Sequence, residues 1–251
     1  MLSVARESPL QDMMISPKNT LEHIHTLCAG GDRALALIES WSEKGWAEFL
    51  AFTVPVILLG CGAYGFSMGI WQGWEMAAYV AIKLPNVIFL TLILNGLLNG
   101  MLGLILGSGL KFLQSVQFLL VGFTLMSVML LVLSPVMIFV ATQAPEPSSA
   151  SGHSWHSISI LAHVTVVAYA GISSHLILLD SLRRFTATKI QGTQTFFAWL
   201  IGNLFVGAQV SWVLRPFFGT PGVEIQFLRG DPFSGSFYEA IWISINQLIT
   251  N

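Results

Sequence analysis

The sequence predicts an all-α integral membrane protein: a five-span transmembrane helical bundle with interfacial amphipathic helices, its N-terminus in and its C-terminus out. Three observations carry that expectation. The 251 residues are 54% hydrophobic and only 10% charged, with a mean hydropathy of +0.70, where a soluble domain carries roughly 25% charged residues. Five apolar stretches, at about 47–70, 84–107, 115–142, 157–181 and 194–214, each reach the ~20 residues that cross a hydrocarbon core of about 30 Å. The basic residues fall on alternate connections between these stretches, as the positive-inside rule requires. With 13 Asp and Glu against 11 Lys and Arg, the formal charge of -2 gives no electrostatic case for binding nucleic acid.

Residues 1–46 read as a cytoplasmic N-terminal arm with short amphipathic helices. Met1 to Ser16 lacks the basic patch, apolar run and cleavage site of a signal peptide, so the first span is expected to act as the insertion signal. Pro9, Pro17 and the Gly30-Gly31 pair divide the arm. Asn19 or Thr20 suits the cap of a helix through Leu27, and Asp32 the cap of a second with Leu35, Ile38 and Trp41 on one face. That stripe, with Trp41 and Trp46, fits the inner membrane interface; packing on the protein's own spans is the competing reading. Cys28 and Cys61 fall in the arm and in a span, neither of them oxidising, so no disulfide is expected.

The spans, residues 47–214, come next. Between the first and second, Trp71 to Lys83 mixes Trp71, Trp74, Glu75, Tyr79 and Lys83, which reads as a separate interfacial helix turning into the span at Pro85. Arg6, Lys18, Arg33 and Lys44 precede span one, Lys111 lies between spans two and three, and Arg183, Arg184 and Lys189 lie between spans four and five. The connection 143–156 has no Lys or Arg, which places it outside. The tail, 215–251, is rich in Gly and Pro up to Gly235, after which Phe237, Ile241, Ile245 and Leu248 recur at helical spacing. It reads as an outer-face cap followed by an amphipathic helix, with a re-entrant hairpin as the alternative.

Polar residues in this setting are the functional candidates. Glu48, Lys83, Asp180 and Arg215 lie near predicted span ends, where snorkelling anchors them. Asn95 and Asn99 are four apart, beside Gly96, Gly100 and Gly103, a face suited to close helix contact. Together with Asn203 and Gln209 they alternatively line a polar path. His153 and His156 are three apart and His163 is seven further on, the spacing of a conceivable metal trio, although the loop holds no Cys and Glu146 is its only acid. His163 and His175 fall near the ends of their span and not in its middle. Pro216 should end span five, with Gly219, Pro221 and Gly222 turning the chain back. Arg215 then pins the turn through exposed carbonyls or Glu224, or binds lipid phosphate. Gly-x-Ser-x-Gly, His-Glu-x-x-His, phosphate-loop and dinucleotide motifs are absent, and no catalytic residue or cofactor is predicted beyond bound lipid.

At Lys83-Leu-Pro85, at the Gly107 to Gln117 turn, and above all at Trp212-Val-Leu-Arg-Pro-Phe-Phe-Gly-Thr-Pro-Gly222, with Gln226 to Arg229 and Phe237 to Ala240 after it, the chain resembles bacterial multi-span membrane proteins distantly similar to the Yip (Rab-interacting) family. The resemblance covers roughly Leu50 to Asn251. It implies a five-span bundle with a non-enzymatic role in membrane organisation or as a subunit, in the bacterial cytoplasmic (inner) membrane. The expected function is thus an accessory or scaffold subunit. Its partners would be membrane lipids and other integral membrane proteins, in a hetero-complex or a homo-oligomer. The alternatives are a small-solute or ion transporter or channel along Asn95, Asn99, Asn203 and Gln209, and a His-dependent metal enzyme.

Overall fold

The computed structural model describes residues 17–149, 151–186, 188–220 and 222–250. The expectations for Met1 to Ser16, with Arg6 and Pro9, and for Pro221 lie outside the described residues, as do the side chains of His153 and Leu248. Among the described residues the regular structure is entirely helical: α1 (Pro17–Ala29), α2 (Gly31–Lys44), α3 (Trp46–Gly69), α4 (Trp74–Ile105), α5 (Phe112–Thr142), α6 (Gly152–Phe185), α7 (Lys189–Val213) and α8 (Phe237–Thr250), with a 3-10 turn at Ile70–Gln72. Helices α3 to α7 are long and apolar enough to cross a membrane, the architecture of a multi-pass membrane protein. They run alternately up and down, so one end of the bundle carries α1 and α2 (the arm end) and the other carries the segment after α7 (the tail end).

Helix α3 sits at the centre, against α4 on one side and α5 on the other, because its glycines remove the side chains that would hold them apart. A Cβ on Gly60 would stand 2.2 Å from the Ser127 carbonyl oxygen of α5, one on Gly65 2.4 Å from that of Val80, and one on Gly69 2.6 Å from that of Met76. Backbone meets backbone along this seam, the usual service of small residues in spans. Ile57, Cys61 and Tyr64 fill the spaces between and are fully buried, and the Cys61 thiol pairs with the Ser127 hydroxyl at 3.2 Å.

The stretch before span two is not a separate interfacial helix. It belongs to α4, which starts at Trp74 and runs unbroken through Pro85. Pro85 lies inside the continuous helix, where its ring removes one backbone donor, as do Pro55 in α3 and Pro135 in α5. The break falls at Gly73, whose φ of 121° is open to glycine alone.

The arm also differs from the interfacial reading. Gly30 and not Asp32 holds the N-cap of α2, with Asp32 in the first turn, and α1 starts at Pro17, ahead of Asn19. The apolar face of α2 is covered by protein: Ala34, Ile38 and Trp41 are buried, and Trp41 packs on Phe49 and Phe52 with ring centroids 5.1 and 5.3 Å apart. Gln117 of α5 donates to the Ile38 carbonyl at 2.7 Å, and Arg184 of α6 pairs with Asp32. Trp41 is thus a core residue, while Trp46 keeps partial exposure.

Candidate functional site

At the middle of the bundle, between α4, α6 and α7, lies a chamber of about 300 Å³ whose walls are almost wholly hydrocarbon. Leu84, Val87 and Ile88 of α4 face Val164 and Val167 of α6, and Phe217 and Phe218 close the tail end. Glycines and alanines keep the wall thin: Gly171, Ala168, Gly207 and Ala208 all line it. Six side chains with polar atoms interrupt it, those of Thr91, His163, His175, Asn203, Ser211 and Tyr238.

The two histidines are set by different partners. His175 Nδ1 lies 2.7 Å from the Gly171 carbonyl oxygen, which only accepts, so Nδ1 donates and Nε2 of the neutral ring accepts from Asn203 Nδ2 at 3.2 Å. Asn203 Oδ1 in turn accepts from Asn99 Nδ2 at 3.2 Å, and the Trp199 indole N–H donates to the Asn99 backbone oxygen at 2.9 Å. A directed chain of hydrogen bonds therefore links α6, α7 and α4 inside the apolar core. His163 Nδ1 meets the Tyr64 hydroxyl at 3.0 Å, with the Phe218 ring 5.2 Å away.

Some buried polar atoms here have no partner. Both side-chain amide atoms of Asn95, Asn99 Oδ1 and the Thr91 hydroxyl are unpaired in fully or nearly fully buried residues. Leaving such a group without a hydrogen bond costs about 1–3 kcal/mol.

Asn95 and Asn99 are both buried on α4 and Asn99 meets Asn203 of α7, but only Asn203 reaches the chamber wall, and Gln209 is half-buried and outside it. His175 was not among the predicted site residues, and it sits in the bundle interior, not at a span end. Its bonds run to residues on other helices, which no periodicity within α6 discloses. Of the conceivable metal trio, His163 is bound to Tyr64 and His156 stacks on Trp71 at 6.3 Å, while the His153 side chain lies outside the described residues. Among the described residues no three His, Cys, Asp or Glu side chains gather as a metal site would need.

Beyond the chamber, toward the tail end, opens a second cavity of about 220 Å³. It shares five wall residues with the first, Val164, Ser211, Phe217, Phe218 and Phe237, and differs in being lined by Arg215, Arg229, His156 and Thr220 as well. Arg215 is the expected latch, with other partners. Its two terminal nitrogens donate to the backbone oxygens of Trp212, Asp231, Pro232 and Ser234 at 2.8–3.0 Å, its charge lies over the Trp212 ring, and the Asp231 carboxylate is 3.8 Å away. Glu224 is exposed and takes no part. Pro216 is joined to Arg215 by a cis bond and presents its carbonyl to Lys83.

Lys83 does not snorkel to a headgroup layer. It is 1% exposed and donates from Nζ to the Pro216 oxygen at 2.8 Å, beneath the Phe227 ring at 4.9 Å. The tail covers what would otherwise be the polar end of α4. The cap is closed by α8, which lays Phe237, Ala240, Ile241 and Ser244 toward the bundle and accepts from Ser157 at Gln247, 2.6 Å. Phe237 and Ile241 of the predicted stripe lie on that seam, whereas Ser244 is buried where Ile245 was expected and Ile245 is exposed. No family model, curated protein or solved structure matches the chain.

Proposed function

We propose that the chain is a non-enzymatic accessory subunit of a membrane complex, docking other membrane proteins along the outer edge of α6. One observation carries the reading. Ile158, Thr165, Tyr169, Ile172 and Leu176 form a continuous exposed stripe on α6, with Tyr169 at mid-helix and 64% exposed. Its hydroxyl has no partner among the described residues. In hydrocarbon an unpaired hydroxyl is disfavoured by about 1–3 kcal/mol, and a tyrosine that meets a neighbouring helix resolves this with a hydrogen bond across the interface. The distribution of Lys and Arg supports an N-terminus in the cytoplasm and a C-terminus outside, and the Trp212 to Gly222 motif supports a place among the Yip-like proteins of the bacterial inner membrane. A photocrosslinking residue at Tyr169, introduced in native membranes, should trap a second membrane protein, and Tyr169→Phe should lower recovery of the complex in mild detergent. Isolation of single uncrosslinked chains alone would overturn the reading.

A second reading, small-solute or ion translocation, is favoured by the unpaired Asn95 amide beside the Asn99–Asn203–His175 chain. Flux into vesicles that falls with Asn95→Leu and Asn99→Leu would support it; absent or unaltered flux would end it.

A further inference from the structure

We infer that the chamber and the cavity beyond it together form one binding site for an anionic, phosphate-headed membrane lipid, with the phosphate beside Arg229 and Arg215 and one hydrocarbon chain running inward between α6 and α7. The two cavities adjoin, with five wall residues in common, and differ in chemistry, which is the division an amphiphile has. From His163 to His175 is twelve residues of helix, about 18 Å of rise, close to the length of an extended acyl or prenyl chain of biological size. The wall between those levels is hydrocarbon, built from Val164, Val167, Ala168 and Gly171 of α6 and Leu204 and Gly207 of α7.

The head end is cationic where it opens. Arg229 is exposed and spends one terminal nitrogen on the Thr220 hydroxyl at 3.0 Å, which leaves most of its five-donor fork unengaged. No carboxylate pairs with it among the described residues. Arg215 also lines the outer cavity; its terminal nitrogens are spent on four backbone oxygens and the Asp231 carboxylate is 3.8 Å away, so it adds a fixed and partly balanced charge to the wall. The outer cavity has no acidic residue on its wall. The unengaged fork of Arg229 recognises an anionic phosphate more readily than a neutral head.

The test uses the purified full-length chain, presented with dioleoyl phosphatidylglycerol, dioleoyl phosphatidylcholine, dioleoylglycerol or inorganic phosphate and read by native mass spectrometry. One phosphatidylglycerol should be retained per chain, about tenfold more tightly than phosphatidylcholine, and Arg229→Gln should weaken it about fivefold. Gly207→Leu should abolish retention by filling the chamber, since a Cβ there meets only ordinary contacts, 3.7 Å from Thr91. Should that variant fail to fold by circular dichroism, Ala168→Phe on the opposite wall replaces it, and the exposed Arg229→Gln decides if both fail. Equal retention of the two phospholipids, retention by a folded chamber-filled variant, or displacement of the lipid by inorganic phosphate would each overturn the inference.

Discussion

The five spanning helices divide into two unequal halves. Helices α3, α4 and α5 form a dense wedge, with 50%, 44% and 44% of their apolar windows buried inside the protein, whereas α6 and α7 lean on its edge with 28% and 22%. Both halves carry glycines, and individual positions use them to opposite effect. At Gly60 and Gly65 an added Cβ would run into a carbonyl at 2.2–2.4 Å; at Gly202 and Gly207 nothing stands closer than 3.7 Å. At Gly60 and Gly65 glycine lets helices touch, and at Gly202 and Gly207 it leaves room. Small residues in a span therefore mark close contact only when the opposite backbone is known, and a chamber when it is not there.

The largest effect should come from Gly60→Leu, which forces α3 away from α5 and should destabilise the bundle by about 3 kcal/mol, at the upper end for overpacking. Thermal unfolding in micelles, followed by circular dichroism, would measure it, and a melting point within a degree of the parent would erase the distinction between the halves. At the seam between them, Asn95→Leu removes two unpaired amide atoms and should be neutral or stabilising by up to ~1 kcal/mol; a marked loss would show that the amide has a partner. In the loose half, Gly207→Ala should stabilise by about 0.5–1 kcal/mol through helix propensity alone. The smallest contrast is chemical. Burial of its flank pushes the Cys28 thiol up from its ordinary value, so at pH 7–8 less of it is thiolate than of a free cysteine. Maleimide labelling should thus be slow at pH 7, climb into the alkaline range, and occur at Cys28 ahead of Cys61, which is enclosed in the wedge.

The five spans were legible because twenty consecutive apolar residues leave few other solutions. Their packing was less so. The aromatic and charged run from Trp71 to Lys83 has the composition of a headgroup boundary, but from Trp74 on it forms the first turns of α4, with Lys83 covered by the tail from far along the chain. The same limit applied to the site. Asn95, Asn99 and Asn203 stood out as polar residues in spans, but their shared contact, and the recruitment of His175, depend on which helices are neighbours. Trp41 was read at a membrane interface because an amphipathic helix has one apolar face, and that face fits lipid or protein equally well until the partner surface of Phe49 and Phe52 is seen. Arg215 was legible as a latch because a proline follows it; its four acceptors lie 16–19 residues downstream and back at Trp212, and no local pattern points to them.

The bond from Lys83 to the Pro216 carbonyl spans 133 residues, and that separation sets a clock on biogenesis. At roughly 5–20 residues per second, on the order of ten seconds of synthesis separates the emergence of the lysine from that of the oxygen that receives it. Through that interval α4 must wait with an uncovered ammonium group near its end, held by the insertion machinery or by water at the bilayer edge. A chain cut ahead of Pro216 keeps all five spanning sequences and leaves the Lys83 ammonium without the oxygen that receives it.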